Sequence, residues 1–258
     1  TWQIDADEWP LSNAGAVNYY LGSGGALSTS RPASTGTAQY TADSKGRPMQ
    51  TLTGTEENAA WAAQPPYSWD PLPAGKAVGW ATAPLAKDLV IAGPSSFDVY
   101  LKSSAKDTDL QVTITEIRPD GQETYVQNGW LRASHRKLGP DSTALQPVPT
   151  HLRKDAAPLP RGKYTLVRVP IFPVAHAFRA GSRLRVTLEA PGGDRPRWAF
   201  ATIERGKTRD TVSLGGARAS KLVLPVLAGA TAQGTPLPPA TALRGEPNRK
   251  YVAAANGG

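Results

Sequence analysis

The sequence predicts an all-β protein, a mostly antiparallel sandwich with long loops and little helix. The 258 residues include 24 Pro and 25 Gly, a composition that favours many turns over long helices. Several short runs alternate apolar and polar residues with a period of two, which is typical of strands with one buried face. Hydrophobic residues make up 40% of the chain and charged residues 19%, as in ordinary globular proteins.

The stretch Pro94 to Arg136 has the clearest strand pattern. Its alternating apolar positions are Phe97, Val99, Leu101, Leu110, Val112 and Ile114. A turn is predicted at Arg118-Pro119-Asp120-Gly121, because Pro fixes its own φ and Gly accepts the positive φ that closes a turn. A tight hairpin turn is predicted at Asn128-Gly129, the pair of residues that most readily adopts positive φ at both turn positions.

The same stretch carries a resemblance to a known family. Residues 93–121 read GPSSFDVYLKSSAKDTDLQVTITEIRPDG, and residues 128–136 read NGWLRASHR. Both resemble the C-terminal domain of the X-Pro dipeptidyl-peptidase and cocaine esterase family of serine hydrolases. Asn128 stands where that family usually has Asp, and His135 where an aromatic residue is common. The resemblance spans roughly residues 1–228 and implies one jelly-roll domain of the galactose-binding-like kind.

The N-terminal thirty residues concentrate aromatic side chains. Trp2, Trp9, Tyr19 and Tyr20 lie in a segment whose glycines disfavour a long helix. We expect a strand pair with aromatics in the core, a docking face for another domain, or both. Residues 31–66 are rich in Ser, Thr, Ala and Gly and predict a long surface loop with at most one short strand.

Further strands are predicted along the rest of the chain, and a Pro-rich loop over residues 138–161 interrupts them. The predicted strands are Val78–Leu85, Leu89–Ile91, Lys163–Ile171, Arg183–Glu189, Thr211–Leu214 and Leu222–Leu227. Pro173 to Gly181 resembles a bend of the same family. Leu184, Val186 and Leu188 predict a half-buried strand with polar residues on its other face. Residues 229–258 are rich in Pro, Ala and Gly and predict a C-terminal tail.

Charge and hydropathy exclude two classes of partner. The net charge is +8 and the isoelectric point near 9.8. The basic residues are dispersed and do not form a dense run with interleaved aromatics, so we expect no nucleic-acid partner. No stretch approaches 18 apolar residues and no signal peptide is recognisable, so we expect no membrane span and a processed or excised piece. The absence of cysteine excludes disulfides but leaves the compartment open.

The residues themselves predict no catalytic group, metal or cofactor. The Gly-x-Ser-x-Gly motif of α/β-hydrolases does not occur, since Leu21 stands where Ser23 would need the first Gly. The three histidines are expected to be structural. Asp107 with Asp109 lacks calcium-loop spacing, as does the group Asp5, Asp7 and Glu8, and both sets are expected to accept backbone amide bonds in turns.

The resemblance implies a function that these residues do not carry alone. In the family, an N-terminal α/β-hydrolase domain performs acyl transfer with a serine nucleophile, on ester, amide or prolyl-peptide substrates. The C-terminal domain packs on it. We therefore expect an accessory domain whose partner is the catalytic domain of the same parent, and which shapes the substrate cleft. Candidate contact residues are Trp2, Trp9, Tyr19, Tyr20, Trp130, His176 and Trp198.

Two alternatives stay open from the sequence. One is a carbohydrate-binding module of the galactose-binding-like kind, which would stack sugar rings on exposed aromatic side chains such as Trp61, Trp130 or Trp198. The other is a purely structural domain that stabilises or oligomerises its parent, which a large apolar patch without a pocket would favour. Exposure of the aromatic residues discriminates between these alternatives.

Overall fold

The chain is described by a computed structural model, which covers residues 5–9, 11–46, 70–192, 201–203, 206–235 and 248–254. Nearly all of the regular structure in these residues is strand. The strands are β1 Ala14–Leu21, β2 Leu27–Ser28, β3 Gly36–Ala42, β4 Ala77–Ala81, β5 Leu89–Ser103, β6 Asp109–Ile117, β7 Gln122–Arg132, β8 Thr165–Phe178, β9 Arg183–Glu189, β10 Thr208–Leu214, β11 Lys221–Leu227 and β12 Asn248–Lys250. Short 3-10 turns punctuate them, as the high glycine and proline content predicts.

Two sheets form a sandwich. The first has the strand order β2-β1-β11-β5-β10-β3, with β8 also paired to β5, and the second has the order β12-β7-β6-β9-β4. The ladders between these strands are antiparallel. The prediction of an all-β, antiparallel sandwich with little helix is confirmed.

One main hydrophobic core lies between the sheets. The alternating apolar residues that predicted strands point into it, and they are at most 5% exposed. These include Phe97, Val99 and Leu101 of β5, Leu110, Val112 and Ile114 of β6, and Leu184, Val186 and Leu188 of β9. Burying each such side chain contributes about 1.5 to 3 kcal/mol, so the period-two pattern is what fixes which face of each strand turns inward.

Strand β5 is longer than the sequence indicated. Leu89–Ile91 and Phe97–Leu101 were predicted as separate strands, but they belong to one strand from Leu89 to Ser103. Its register against β8 shifts between Gly93 and Ser95. Gly93 has φ +141° there, and a β-carbon on it would lie 3.1 Å from Cβ of Pro225 in β11. A bulge therefore carries the strand past Gly93-Pro94 without ending it.

Of the two turns predicted between residues 118 and 129, one is confirmed. Gly121 has φ +79°, and its amide donates to the Arg118 carbonyl at 3.0 Å, which joins β6 to β7. The prediction of a hairpin turn at Asn128-Gly129 is wrong. Both residues lie inside β7 and pair with Thr113 and Val112 of β6. The glycine is needed there for a close approach of β8 rather than for a positive φ.

The predicted bend at Pro173 to Gly181 is also wrong for its first part. Strand β8 continues to Phe178, and the chain turns only afterwards, where the Ser182 amide donates to the Arg179 carbonyl at 3.0 Å. Pro173 lies at the register shift between β8 and β5, where the ladder does not require a backbone N–H. A proline within a strand is tolerated at such a position, so it does not end β8.

Strand β9 differs from its prediction in burial. Arg185, Thr187 and Glu189 on its polar face are 4% to 6% exposed, so both faces of the strand are covered. Charged side chains can be buried in this way when they are paired, and Arg185 is paired with Glu123 of β7.

The structure tests part of the predictions made for the N-terminal segment and for the surface loop. β1 and β2 pair as an antiparallel hairpin with Tyr19 in the core, so the expected strand pair with core aromatics is observed. Strand β3 lies within the predicted loop 31–66, and residues 47–66 lie outside the described residues. Residues 138–161 form no strand, as the Pro-rich composition predicts.

The tail prediction needs correction at one place. Residues 248–250 form β12, which pairs with β7 at the edge of the second sheet. Composition missed this because the pairing depends on two buried side chains of the sheet, Glu123 and Arg185, and not on apolar area in the segment itself. Within the described ranges, no helix has the length and apolarity needed to cross a membrane.

Candidate docking groove

An apolar groove of about 600 Å³ opens beside the first sheet. Its walls come from the N-terminal residues 6–9 with Leu11, from residues 90–92 of β5, from residues 175–177 of β8 and from Leu227 of β11. These elements meet because β5 pairs with both β8 and β11. The groove therefore brings together Trp9 and His176, two of the side chains singled out in the sequence.

The floor of the groove is a second, smaller hydrophobic cluster. Val90, Ala92 and Leu227 are buried in it, and Leu11 and Ala177 pack against them. It exists because Leu89 to Ala92 are apolar at consecutive positions, so β5 presents apolar side chains on both faces at this end. Ile91 belongs to the main core, whereas Val90 and Ala92 lie on the groove side of β5, where Leu11 and Ala177 pack against their cluster.

Trp9 is the most exposed large hydrophobic residue of the described ranges, at 58%. It lines the groove together with the exposed carboxylates Asp7 and Glu8. An indole that stands in solvent next to a concave apolar surface is a feature of sites that bind another surface or ligand. The acidic residues give this rim a negative charge in a chain whose net charge is +8.

His176 is held firmly in the groove wall. Its Nε2 lies 2.9 Å from Oε2 of Glu116, and its ring packs edge-to-face on Phe178 with 4.7 Å between ring centroids. Burial alone would raise the pKa of Glu116, but His176, the Ser182 hydroxyl and the Arg179 amide outweigh burial and lower this pKa. The histidine side chain is therefore fixed in orientation, and because His176 pairs with Ile91 across the ladder it lies on the core side of the sheet, so the strand at His176 and not its ring forms the groove wall.

The chain segment that follows β11 is anchored next to the groove. The Asp88 carboxylate accepts the amides of Ala180 at 2.8 Å and of Ala232 at 3.0 Å. The guanidinium of Arg179 donates to the carbonyls of residues 232–234. The Ala180 amide is the largest contribution that lowers the pKa of Asp88. These bonds fix the position of residues 232–234.

The other candidate residues lie elsewhere. Tyr19 is 8% exposed in the main core, where burial raises the pKa of its phenol. Tyr20 is half-buried in β1. Trp130 is half-buried in β7, where its indole N–H donates to Gln111 at 2.7 Å. Trp2, Trp61 and Trp198 lie outside the described residues.

The groove offers packing surface, and its lining residues include no Ser, Thr, Cys or Lys. In the described ranges, no group of three or more His, Cys, Asp or Glu is placed to hold a metal ion. Asp107 accepts the amides of Thr108 and Ser134, and Asp109 accepts two bonds from Arg132, which are structural roles. Asp109 also accepts the amide of Ile203 at 3.0 Å, so the predicted backbone-amide role is confirmed for both carboxylates, although Asp109 lies at the start of β6 and not in a turn.

Sequence reasoning missed the residues that make the groove apolar. Val90 and Leu227 were predicted only as strand positions and Ala177 as part of a bend, and neither Ala92 nor Glu116 was singled out. One signal was present: consecutive apolar residues in a short strand indicate that both faces are covered. The bond from Glu116 to His176 joins residues distant in sequence, so periodicity gives no sign of it.

Comparison with known proteins identifies the family of the sandwich and several longer relatives. Residues 2–223 match the family described as the X-Pro dipeptidyl-peptidase C-terminal non-catalytic domain. A protein named as a serine esterase in Mycobacterium bovis is 27% identical over 86% of this chain, which covers 35% of that protein. Cocaine esterase from Rhodococcus sp. is 22% identical over 88% of this chain, which covers 40% of that protein.

Solved structures agree in fold. A CocE/NonD family hydrolase from Staphylococcus aureus superposes with a TM-score of 0.67 at 21% identity, over 86% of this chain and 38% of that one. An α-amino acid ester hydrolase superposes with a TM-score of 0.60 at 18% identity, over 82% of this chain and 36% of that one. The chain thus spans about two fifths or less of the length of each of these proteins.

Proposed function

The chain belongs to the family of X-Pro dipeptidyl-peptidase C-terminal non-catalytic domains, and from that premise we propose that its groove docks the catalytic domain of a larger hydrolase. The occupant is an α/β-hydrolase domain of the same parent protein. The similar proteins named as esterases and hydrolases are more than twice as long as this chain, which supports a further domain as the partner.

The observation that carries the proposal is the exposed Trp9 above the apolar floor of Val90, Ala92 and Leu227. Domains of one chain typically bury about 600 to 1,500 Å² against each other. Returning one indole from solvent to an apolar contact contributes about 2 to 3 kcal/mol before ordering costs. That free energy is useful to a tethered domain, because the covalent link already brings the two surfaces together.

The parent's reaction under this proposal is acyl transfer. A serine outside this chain attacks an ester, amide or prolyl-peptide carbonyl, and water then releases the acyl group. The 258 residues contain no Gly-x-Ser-x-Gly sequence, which fits a chain that contributes position and not the nucleophile. The acidic rim of Asp7 and Glu8 would then border the substrate cleft of the parent.

Two substitutions in the whole parent protein test the docking. Trp9→Ala removes the exposed indole, and Ala177→Arg places a long charged side chain on the groove wall. Each should lower the thermal midpoint of the parent by about 2 °C and reduce kcat/KM. The same changes should leave the midpoint of the isolated chain nearly unchanged, because neither residue belongs to its main core.

Leu152→Ala is the matched control for these substitutions. Leu152 is 49% exposed and lies in the Pro-rich loop, away from the groove lining. It should leave both the midpoint and kcat/KM of the parent unchanged. Equal behaviour of Trp9→Ala and Leu152→Ala would show that the groove does not dock the catalytic domain.

Carbohydrate binding is the second candidate, and one aromatic pair favours it. Phe172 is 53% exposed and packs edge-to-face on Trp130, with 5.5 Å between ring centroids. Gln127 lies nearby and donates to the Pro173 carbonyl at 3.3 Å. Sugars stack on such rings and bond to adjacent amides. Titration of oligosaccharides into the chain and its Phe172→Ala variant tests this candidate, which requires binding that the variant loses.

A further inference from the structure

Residues 248–250 form a strand at the edge of the second sheet, and residues 251–254 continue from it over Arg185 of β9 to Gly79 of β4. β12 pairs with β7 through Asn248 opposite Thr124, Arg249 opposite Glu123 and Lys250 opposite Gln122. The Tyr251 amide then donates to the Gly121 carbonyl at 3.0 Å. Main-chain pairing along an open sheet edge is the way in which proteins bind extended peptides, with side-chain sites supplying the specificity.

The side-chain site is a buried carboxylate bound by two guanidinium groups. Glu123 is 0% exposed. Arg185 and Thr115 donate to its Oε1, and Arg249 donates to its Oε2 at 2.9 Å. Burial alone would raise the pKa of Glu123, but the charges of Arg185 and Arg249 outweigh burial and lower it. Without Arg249, a buried carboxylate oxygen would lose its partner, which is strongly unfavourable.

Arg185 also contacts the segment directly. Its Nη2 donates to the Val252 carbonyl at 3.2 Å, and its guanidinium lies 5.1 Å from the ring centroid of Tyr251. Arg185 is 4% exposed and belongs to β9, so it is a fixed part of the sheet. Together, Glu123 and Arg185 therefore contact three groups of the segment: the Arg249 guanidinium, the Tyr251 ring and the Val252 carbonyl.

The surface beside this pair is shaped for the backbone of the segment. A β-carbon on Gly79 of β4 would lie 3.2 Å from Cβ of Ala254, tighter than most such contacts. The same β-carbon would lie 3.1 Å from Cγ2 of Thr187 in β9, so the glycine leaves room both for that side chain and for Ala254 of the segment. Small residues at positions of close approach are what such a seat requires.

We propose that Glu123, Arg185, Gly79 and the edge of β7 form a binding site for an extended, arginine-containing peptide, and that residues 248–254 of the same chain occupy it. The site lies on the second sheet, so it does not depend on the docking groove of the first. Arginine fits better than lysine because its planar, delocalised guanidinium suits a buried ion pair. The segment acts as a latch that closes the sheet edge.

Hydrogen exchange in the intact chain tests the latch first. The amides of Arg249 and Tyr251, which face β7 at the edge of the sheet, should be protected in the unmodified protein. Arg249→Ala should raise their exchange rate by at least about tenfold, because opening of this segment then costs less. Arg249→Lys should fall in between. Arg168→Ala is the matched control, since Arg168 has a comparable exposure and pairs with Asp98 on the other sheet; it should leave these amides unchanged.

Binding in trans tests the site itself. A labelled peptide with the sequence of residues 248–254 should bind the Arg249→Ala chain, where the latch is weakened, and not the unmodified chain, where the site is filled. The peptide with alanine in place of arginine should bind neither chain. Peptide binding to the unmodified chain as strongly as to the variant, or absence of binding to the variant at millimolar peptide, would overturn the proposal.

Two further outcomes are decisive, and the first needs no variant. Unprotected amides of Arg249 and Tyr251 in the unmodified chain would show that the segment is not bound. A dimer at micromolar concentration that Arg249→Ala converts to a monomer would show that the segment binds a second copy, which would overturn its assignment to the same chain.

Discussion

Gly129 of β7 lies directly against the carbonyl oxygen of Pro170 in β8. A β-carbon on Gly129 would overlap that oxygen and would lie 2.8 Å from Cα of Ile171. Gly129 is thus a point of close contact between the two sheets, since β7 belongs to the second sheet and β8 pairs with the first. A residue that the sequence indicated as a turn is a packing residue instead.

This contact predicts the effect of two glycine substitutions. Gly129→Ala should destabilise the fold by about 2 to 4 kcal/mol, because backbone atoms of β8 cannot move aside without shifting the sheet. Gly121→Ala should cost only about 1 to 2 kcal/mol, because it strains a positive φ in open space. Urea denaturation of both variants measures the difference. Equal costs would contradict the close-contact role of Gly129.

Glu116 predicts a loss of stability in acid. Its pKa is lowered in the fold, so the unfolded chain takes up the proton first as the pH falls. The stability that Glu116 contributes is present above the ordinary carboxyl pKa of about 4.3 and is lost below it. The difference in unfolding free energy between the unmodified chain and Glu116→Gln should shrink from pH 6 to pH 3. A constant difference would show that Glu116 is not ionised against His176.

Asp210 predicts the opposite dependence on pH. Burial raises its pKa, and the polar side chains of Ser103, Thr108 and Tyr40 around it only partly offset this. The folded chain therefore holds the proton longer, and stability falls as the pH rises through and above about 4, the ordinary carboxyl pKa. Asp210→Asn should become more stable relative to the unmodified chain between pH 4 and pH 7. A relative stability that declines over this range would contradict the raised pKa.

The sequence predicted those parts of the fold that depend on local pattern. Period-two alternation identified β6 and β9 and the central part of β5, because burial of one face leaves its mark on neighbouring residues. The Asn128-Gly129 turn failed because glycine serves both turns and close approaches, and only the distant Pro170 distinguishes the two roles. The sequence predicted two strands in place of the single β5, because Gly93-Pro94 is typical of a strand end but lies in a bulge here.

The candidate groove was predictable only in outline. Trp9 and His176 were named from composition and resemblance, and they do line one concavity. Their apolar floor comes from strands brought together by tertiary pairing, and the fixed orientation of His176 comes from Glu116 on another strand. The latch at Arg249 was missed for the same reason, since its partner Glu123 is remote in sequence.

Footprinting of Trp9 with hydroxyl radicals tests the docking groove most directly. The measurement compares the modification rate of Trp9 in the isolated chain, where it is 58% exposed, with its rate in the whole parent protein. Leu152, 49% exposed in the isolated chain, is the internal reference. Docking predicts that the rate at Trp9 falls by at least about fivefold in the parent while the rate at Leu152 is unchanged. Equal rates at Trp9 in the two proteins would contradict the account.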